Sequence, residues 1–187
     1  SMKSLLPLMG AEHELKEIVS MAKTFAPEKY EAEGKVLAGG LEGFVPVIYV
    51  SEKNKSLAYN WKIKFNEGAK IPSFYSIFPE VNHNEMTGFD ALAATRSLSE
   101  KFGFIFLKDS RDDARVIERM EVTSGMYKKR GLRVREMSIQ GESTYERIFS
   151  SLALADWTAY HLSEHYGTEP EQVPMVEEFK GLITDGK

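Results

Sequence analysis

With 187 residues, 42% of them hydrophobic and 28% charged, the chain has the size and make-up of one soluble domain around a single core. A formal net charge of -4, with no basic run longer than Lys128-Lys129-Arg130, leaves no face for nucleic acid or an anionic membrane. Cysteine is absent, which excludes disulfides and thiol chemistry and suits a reducing cytoplasm. No apolar run approaches the roughly 20 residues a membrane span needs.

Ser1 ahead of Met2 reads as a residue left by tag removal, so 1–10 are set aside as a lead-in and 11–187 as a single domain. Leu15, Ile18, Val19, Met21 and Ala22 share one face and predict a helix from Ala11 to Phe25, stopped by Ala26-Pro27. A second helix is expected from Glu28 to Ala38, ended by Gly39-Gly40. Phe44 to Val50 is nearly all apolar, as a central parallel strand buried on both faces would be. Ser51 follows as a candidate helix cap. Leu57, Trp61, Phe65 and Ala69 then recur every four residues and lay an apolar ridge along a helix. Pro72 ends that pattern, and Ser73 to Phe78 reads as a short buried strand. The polar cluster from Pro79 to Glu85 falls at the strand's carboxyl end, the side on which open α/β sheets bind ligands.

Asp90 to Lys101 has a helical pattern with Leu92, Ala93, Leu98 and Phe102 on its inner side, and Phe104 to Leu107 is the next buried strand. Ser110, with Asp112 and Asp113, opens a charged helix running to about Lys129. Leu132 to Ile139 alternates charge in the manner of a strand at the sheet margin. Ser143 caps a helix from Thr144 to about Tyr166, Gly167 ends it, and a last short helix carries Val176, Phe179 and Leu182. This order predicts a three-layer α/β/α sandwich, flavodoxin-like, with a mostly parallel sheet of about four to five strands.

Chemistry concentrates between Tyr59 and Phe89, which holds Glu67, Glu80, Lys64, Lys70 and His83. By spacing alone Glu67 is either a general base or an exposed helix glutamate paired with Lys64 or Lys70. His83 is either a group able to give and take a proton near neutrality or a loop histidine bonded to local backbone. Two further patterns carry weaker signals. His161-Leu162-Ser163-Glu164-His165 spells the inverted zinc-protease motif, but at a helix end and without a third ligand at a sensible distance. Thr123-Ser124-Gly125 has the composition of a phosphate loop yet lies within a helical pattern, where its amides are engaged.

The run Asn66-Glu67-Gly68-Ala69-Lys70, followed by Pro79-Glu80-Val81-Asn82-His83-Asn84-Glu85 and a glycine, resembles the second half of the bifunctional phosphoglucose/phosphomannose isomerases. Those enzymes are built from two sugar isomerase (SIS) domains. The likeness continues through Tyr145 to Phe149, Ala155 to Thr158 and Phe179-Lys180, and spans about Leu15 to Leu182 in collinear order. It implies an aldose–ketose isomerase that converts glucose or mannose 6-phosphate to fructose 6-phosphate through a cis-enediol. Glu67 would move the proton between C1 and C2, His83 would assist ring opening in the partner subunit's site, and Lys180 would contact substrate hydroxyls. Glu80 and Glu85 would fix the turn and the dimer contact. The chemistry needs Glu67 partly buried, so that its pKa rises toward neutrality. The family has asparagine where this chain has Gly68.

A homodimer and an N-terminal SIS domain are the implied partners, with a cytoplasmic location. No metal or organic cofactor is expected. The glycine-rich and serine/threonine phosphate loops of the N-terminal domain have no counterpart here, so this chain alone is expected to have little or no activity. The alternative is a non-catalytic sugar-phosphate-binding or dimerisation module.

Overall fold

The computed structural model describes residues 12–184, so the lead-in lies outside the described residues. Four strands form one sheet in the order β2-β1-β3-β4: β1 (Val45–Ser51), β2 (Phe74–Phe78), β3 (Phe102–Lys108) and β4 (Arg133–Ser138). Every pairing is parallel, with Ile48 opposite Tyr75 on one side and Ile105 on the other. The strand order reverses between β1 and β3, which opens a crevice at their carboxyl ends.

Helices α1 (Glu12–Met21), α2 (Glu31–Gly39), α3 (Lys55–Glu67) and α7 (Thr144–Tyr166) precede, connect or follow the strands, and α6 (Ala114–Lys129) joins β3 to β4. Side chains alternate across the pleat. Ile48, Val50, Ile105 and Leu107 meet Leu37 of α2, Trp61 and Phe65 of α3, and Leu154 and Leu162 of α7. Val47, Tyr49, Phe104 and Phe106 meet Met120 and Tyr127 of α6 on the other face. Helices α2 and α7 approach so closely at Gly34 that a Cβ there would lie 2.5 Å from that of Trp157. A glycine is the residue that permits this crossing. The long α7 begins at a Ser143 cap, whose Oγ accepts from the Glu146 amide at 3.1 Å, and ends at Gly167 with φ 65°.

Three local expectations are corrected. Ser51 belongs to β1 and does not cap α3; it is buried, and its hydroxyl donates to Asp112. The helix opened by Ser110 starts three residues later, where the Asp113 carboxylate accepts from the Arg115 amide at 2.9 Å. The helix expected from Asp90 to Lys101 is only α5 (Arg96–Ser99), after the equally short α4 (Glu85–Gly88). Ala91 turns into the left-handed region (φ 55°) and Arg130 holds Asp90, so the segment bends instead of coiling. Leu92 and Leu98, placed inward by periodicity, are therefore 60% and 68% exposed.

Candidate functional site

Glu67 is the last residue of α3, at the amino edge of the sheet, and its carboxylate is exposed. Neither expected lysine pairs with that carboxylate among the described residues. Lys64 bonds Asp156 at 2.6 Å, and Lys70 Nζ donates to the Glu67 backbone carbonyl and to that of Pro170 at 3.1 Å. Lys70 itself sits at φ 58°, an unfavourable conformation for a residue with a Cβ. At Gly68 a Cβ would lie 2.8 Å from the Lys64 carbonyl oxygen of its own helix and 3.3 Å from Ala159 of α7. Glycine is the residue that fits this helix end without a clash.

The same edge carries the root of α8 (Pro174–Thr184). Lys70 bonds Pro170, and Thr168 Oγ1 lies 3.4 Å from the Ala69 carbonyl, so the end of α3 is tied to the loop that launches α8. Lys180 projects from α8 with 60% of its side chain exposed, 2.7 Å from Glu177. Met175, Phe179 and Leu182 are exposed on the same helix.

His83 lies at the opposite edge. The chain leaves β2 through a turn of 3-10 helix at Glu80–Asn82, and His83 follows with 87% of its side chain exposed, 3.9 Å from Glu80. The five residues of β2 between the two edges span about 17 Å, so Glu67 and His83 of one chain do not meet. The loop beneath His83 is firmly held. Asn82 donates to Thr123 at 2.8 Å, and Glu85 accepts from the buried Tyr49 hydroxyl at 2.7 Å. Burial raises the pKa of Tyr49, with Tyr127 and Glu85 adding to the effect, and burial pushes Tyr127 up to about 12. Both phenols are neutral; Tyr49 pins the loop to the core, and the Tyr127 hydroxyl lies 3.3 Å from that of Tyr49.

A cleft that motif reading did not single out lies at the carboxyl ends of β1 and β3. Arg147, on the first turn of α7, is 8% exposed and forms a buried ion pair with Asp109, which is 4% exposed. Burial would raise the Asp109 pKa, but the Arg111 amide, the Asn54 side chain, Arg147 and Lys53 outweigh it and hold the carboxyl below its usual range. Burial lifts the neighbouring Asp112, whose Oδ2 is buried without a partner among the described residues. The cleft encloses about 310 Å³. Asp109 after a strand and Arg147 on a helix were both visible in the sequence, but nothing in their spacing joined them.

The profile described as the bacterial phospho-glucose isomerase C-terminal SIS domain matches residues 30–183. This chain belongs to that family. It is 30% identical over 182 residues to the bifunctional phosphoglucose/phosphomannose isomerase of Aquifex aeolicus, covering 96% of this chain and 55% of that protein. The Thermoplasma acidophilum protein of the same description is 34% identical over 140 residues, covering 75% and 42%. The chain thus spans about half the length of the curated relatives it matches. A glucose-6-phosphate isomerase-like protein of Thermus thermophilus shares the fold, with a TM-score of 0.67 at 18% identity over 90% of this chain and 58% of its own.

Within this SIS domain the other two patterns have structural explanations. His161 bonds Glu164 at 2.7 Å and His165 lies 3.4 Å from Glu42, and no cluster of three metal-ligating side chains occurs among the described residues. Thr123 and Ser124 are buried inside α6, where Ser124 donates to Glu136 at 2.7 Å. No helix among the described residues is long and apolar enough to cross a membrane.

Proposed function

We propose that this SIS domain is the C-terminal half of a cytoplasmic glucose-6-phosphate/mannose-6-phosphate isomerase that yields fructose 6-phosphate. Glu67 takes the C2 proton of the open-chain aldose and returns it to C1. The C1 oxygen gains a proton and the C2 hydroxyl loses one, so the cis-enediol collapses to the ketose. His83 serves ring opening in the partner subunit's site, and Lys180 contacts substrate hydroxyls. No cofactor is needed for this path, since acid–base groups and fixed charge suffice.

The observation that carries the reading is the division between edges. Glu67 and the root of the Lys180 helix share one edge, while His83 stands exposed on a braced loop at the other. A homodimer that sets one chain's His83 loop against its partner's Glu67 edge would assemble the three. All three side chains are exposed in the single chain, including the Glu67 carboxylate that the chemistry requires partly buried. An N-terminal SIS domain, supplying the phosphate grip, would cover that edge and the apolar residues of α8.

The test is coupled glucose-6-phosphate isomerase activity of this chain alone and joined to an N-terminal SIS domain of the family. Turnover is expected only in the joined form. A folded joined form that binds sugar phosphate without turnover would sink the isomerase reading and leave a binding module.

A further inference from the structure

The sheet has two lateral margins, β4 and β2, and they are finished differently. β4 carries Arg133, Arg135 and Glu136. Arg133 lies over the Phe44 ring at 4.8 Å, and Glu136 is held between Lys108 and Lys128. Charges of this kind defend a margin strand against pairing with another chain. β2 has no such defence. Its sequence, Phe74-Tyr75-Ser76-Ile77-Phe78, has no charge, glycine or proline, and it pairs only with β1 among the described residues. A neutral strand of β-prone residues with one open side is a template for a strand from elsewhere.

The surface beside that open side is apolar on both faces of the sheet. Phe74 is 52% exposed on one face. On the other, Tyr75 meets Tyr59 of α3 edge-on, with ring centroids 6.0 Å apart, and Tyr59 is 49% exposed. Pro72 and Pro79, which lack the amide hydrogen a ladder needs, bracket the strand, so a partner finds a short track with two ends. The strand is also complementary to itself. A twofold axis through Ser76, perpendicular to the sheet, sets two copies antiparallel, with Phe74 opposite the partner's Phe78 and Tyr75 opposite the partner's Ile77. Lys70 precedes the strand and Glu80 follows it, so reversal brings opposite charges toward each other at both ends.

We propose that the open side of β2 is an interface between two copies of this chain, joined antiparallel about Ser76 into one continuous sheet, with Tyr59 and Tyr75 of each packed across the axis. The arrangement has a consequence for the divided residues. Neighbouring strands lie about 4.8 Å apart, so the loop after one β2 comes beside the segment leading into the other, and the partner's His83 is carried toward Glu67. That consequence rests on the isomerase reading; the interface does not.

The experiment is sedimentation equilibrium of this chain up to a concentration on the order of 100 μM, with cross-linking. The parent should dimerise. Phe74→Glu combined with Tyr59→Glu, both at exposed positions, should raise the dimer Kd about tenfold or more, since like charges then meet across the axis. Val36→Glu, at a 76% exposed site on α2, should leave it unchanged. The chain has no cysteine of its own. Ser76→Cys should therefore give a disulfide-linked dimer with oxidised glutathione, because directly opposed antiparallel residues lie about 4.5–5.5 Å apart between Cα atoms, within disulfide reach. Val36→Cys should not. Three outcomes would overturn the proposal: a parent that stays monomeric, a dimer indifferent to the double variant, or cross-linking no better at position 76 than at 36. None of these readouts uses catalysis. A dimer of this form without turnover when joined to an N-terminal SIS domain would sink the isomerase reading alone, and a monomer that turns over when so joined would sink the interface alone.

Discussion

The two edges of the sheet are built differently. At the carboxyl edge, buried charges are answered within the chain, Arg147 by Asp109 and Asp109 also by Asn54 and the Arg111 amide, and the His83 loop is held by Tyr49 and Thr123. At the amino edge, Glu67 is exposed, Lys70 holds a strained conformation, and α8 shows its apolar residues to solvent. The first arrangement is braced within one chain, with His83 itself exposed and Asp112 Oδ2 lacking a partner among the described residues. The second is the edge that the proposed N-terminal SIS domain would cover.

That contrast predicts its largest effect at Glu67. In the form joined to an N-terminal SIS domain, Glu67→Gln should cut isomerase kcat by about 10²–10⁴-fold, the range for loss of a positioned base. Its exposure means stability should move by no more than about 0.5 kcal/mol. His83→Ala should also lose activity. Mixing the two inactive variants should restore part of it, because a mixed dimer has one site with both residues intact. Absence of rescue, with subunit exchange shown by native mass spectrometry, would mean that Glu67 and His83 do not act across subunits.

The carboxyl edge should respond through stability. Arg147→Met leaves Asp109 as a buried carboxylate without its guanidinium, and breaking such a pair costs about 3–5 kcal/mol. Urea unfolding of this variant beside Lys64→Met checks the comparison. Lys64 pairs with Asp156 at 2.6 Å, but the Asp156 side chain is 59% exposed, so its loss should cost about 1 kcal/mol or less. Equal costs would remove the distinction between a sealed edge and an open one.

Gly68 offers a smaller effect at the open edge. A Cβ there presses on the Lys64 carbonyl and Ala159, and Gly68→Ala should destabilise by about 1–3 kcal/mol, as overpacking does. A stability gain in thermal unfolding would show that the end of α3 has room for a side chain.

Much of the frame was legible because hydrophobic period and caps agree. The every-fourth-residue ridge of α3 and the Ser143–Gly167 bounds of α7 were read within a residue or two, and the four strands were found in place. The misreadings share a cause: tertiary contacts outranked local pattern. Asp90 is held by Arg130, forty residues on, so a helical pattern became a bend. Ser51 meets Asp112 from another strand's loop, so a cap signal became a buried hydroxyl. The family motif pointed to Glu67 and His83, but not to their standing on opposite edges, which follows from α3 running antiparallel to β2. Arg147 and Asp109 escaped for the same reason, being thirty-eight positions apart.

The smallest predicted effect is one of pH, on β4. Glu136 accepts from Ser124 at 2.7 Å and lies 2.9 Å from Lys108 and 2.6 Å from Lys128. Burial opposes ionisation, but the hydrogen bonds of Lys128, Lys108 and Ser124 overcome it and hold the carboxyl at about 2 against an ordinary 4.5. A depressed folded-state pKa stabilises the fold above the ordinary value, and that contribution fades as pH falls from about 4.5 toward 2. Because the Glu136 side chain is 32% exposed, solvent screening limits the effect to about 1 kcal/mol. Urea unfolding of Glu136→Gln should therefore show a flatter acid limb than the parent, with the two curves converging near pH 2. Parallel curves across that interval would mean that the cluster is a surface pairing of no consequence to the fold. The edge strand would then rest on its backbone pairing with β3 and on the packing of Val134 and Met137.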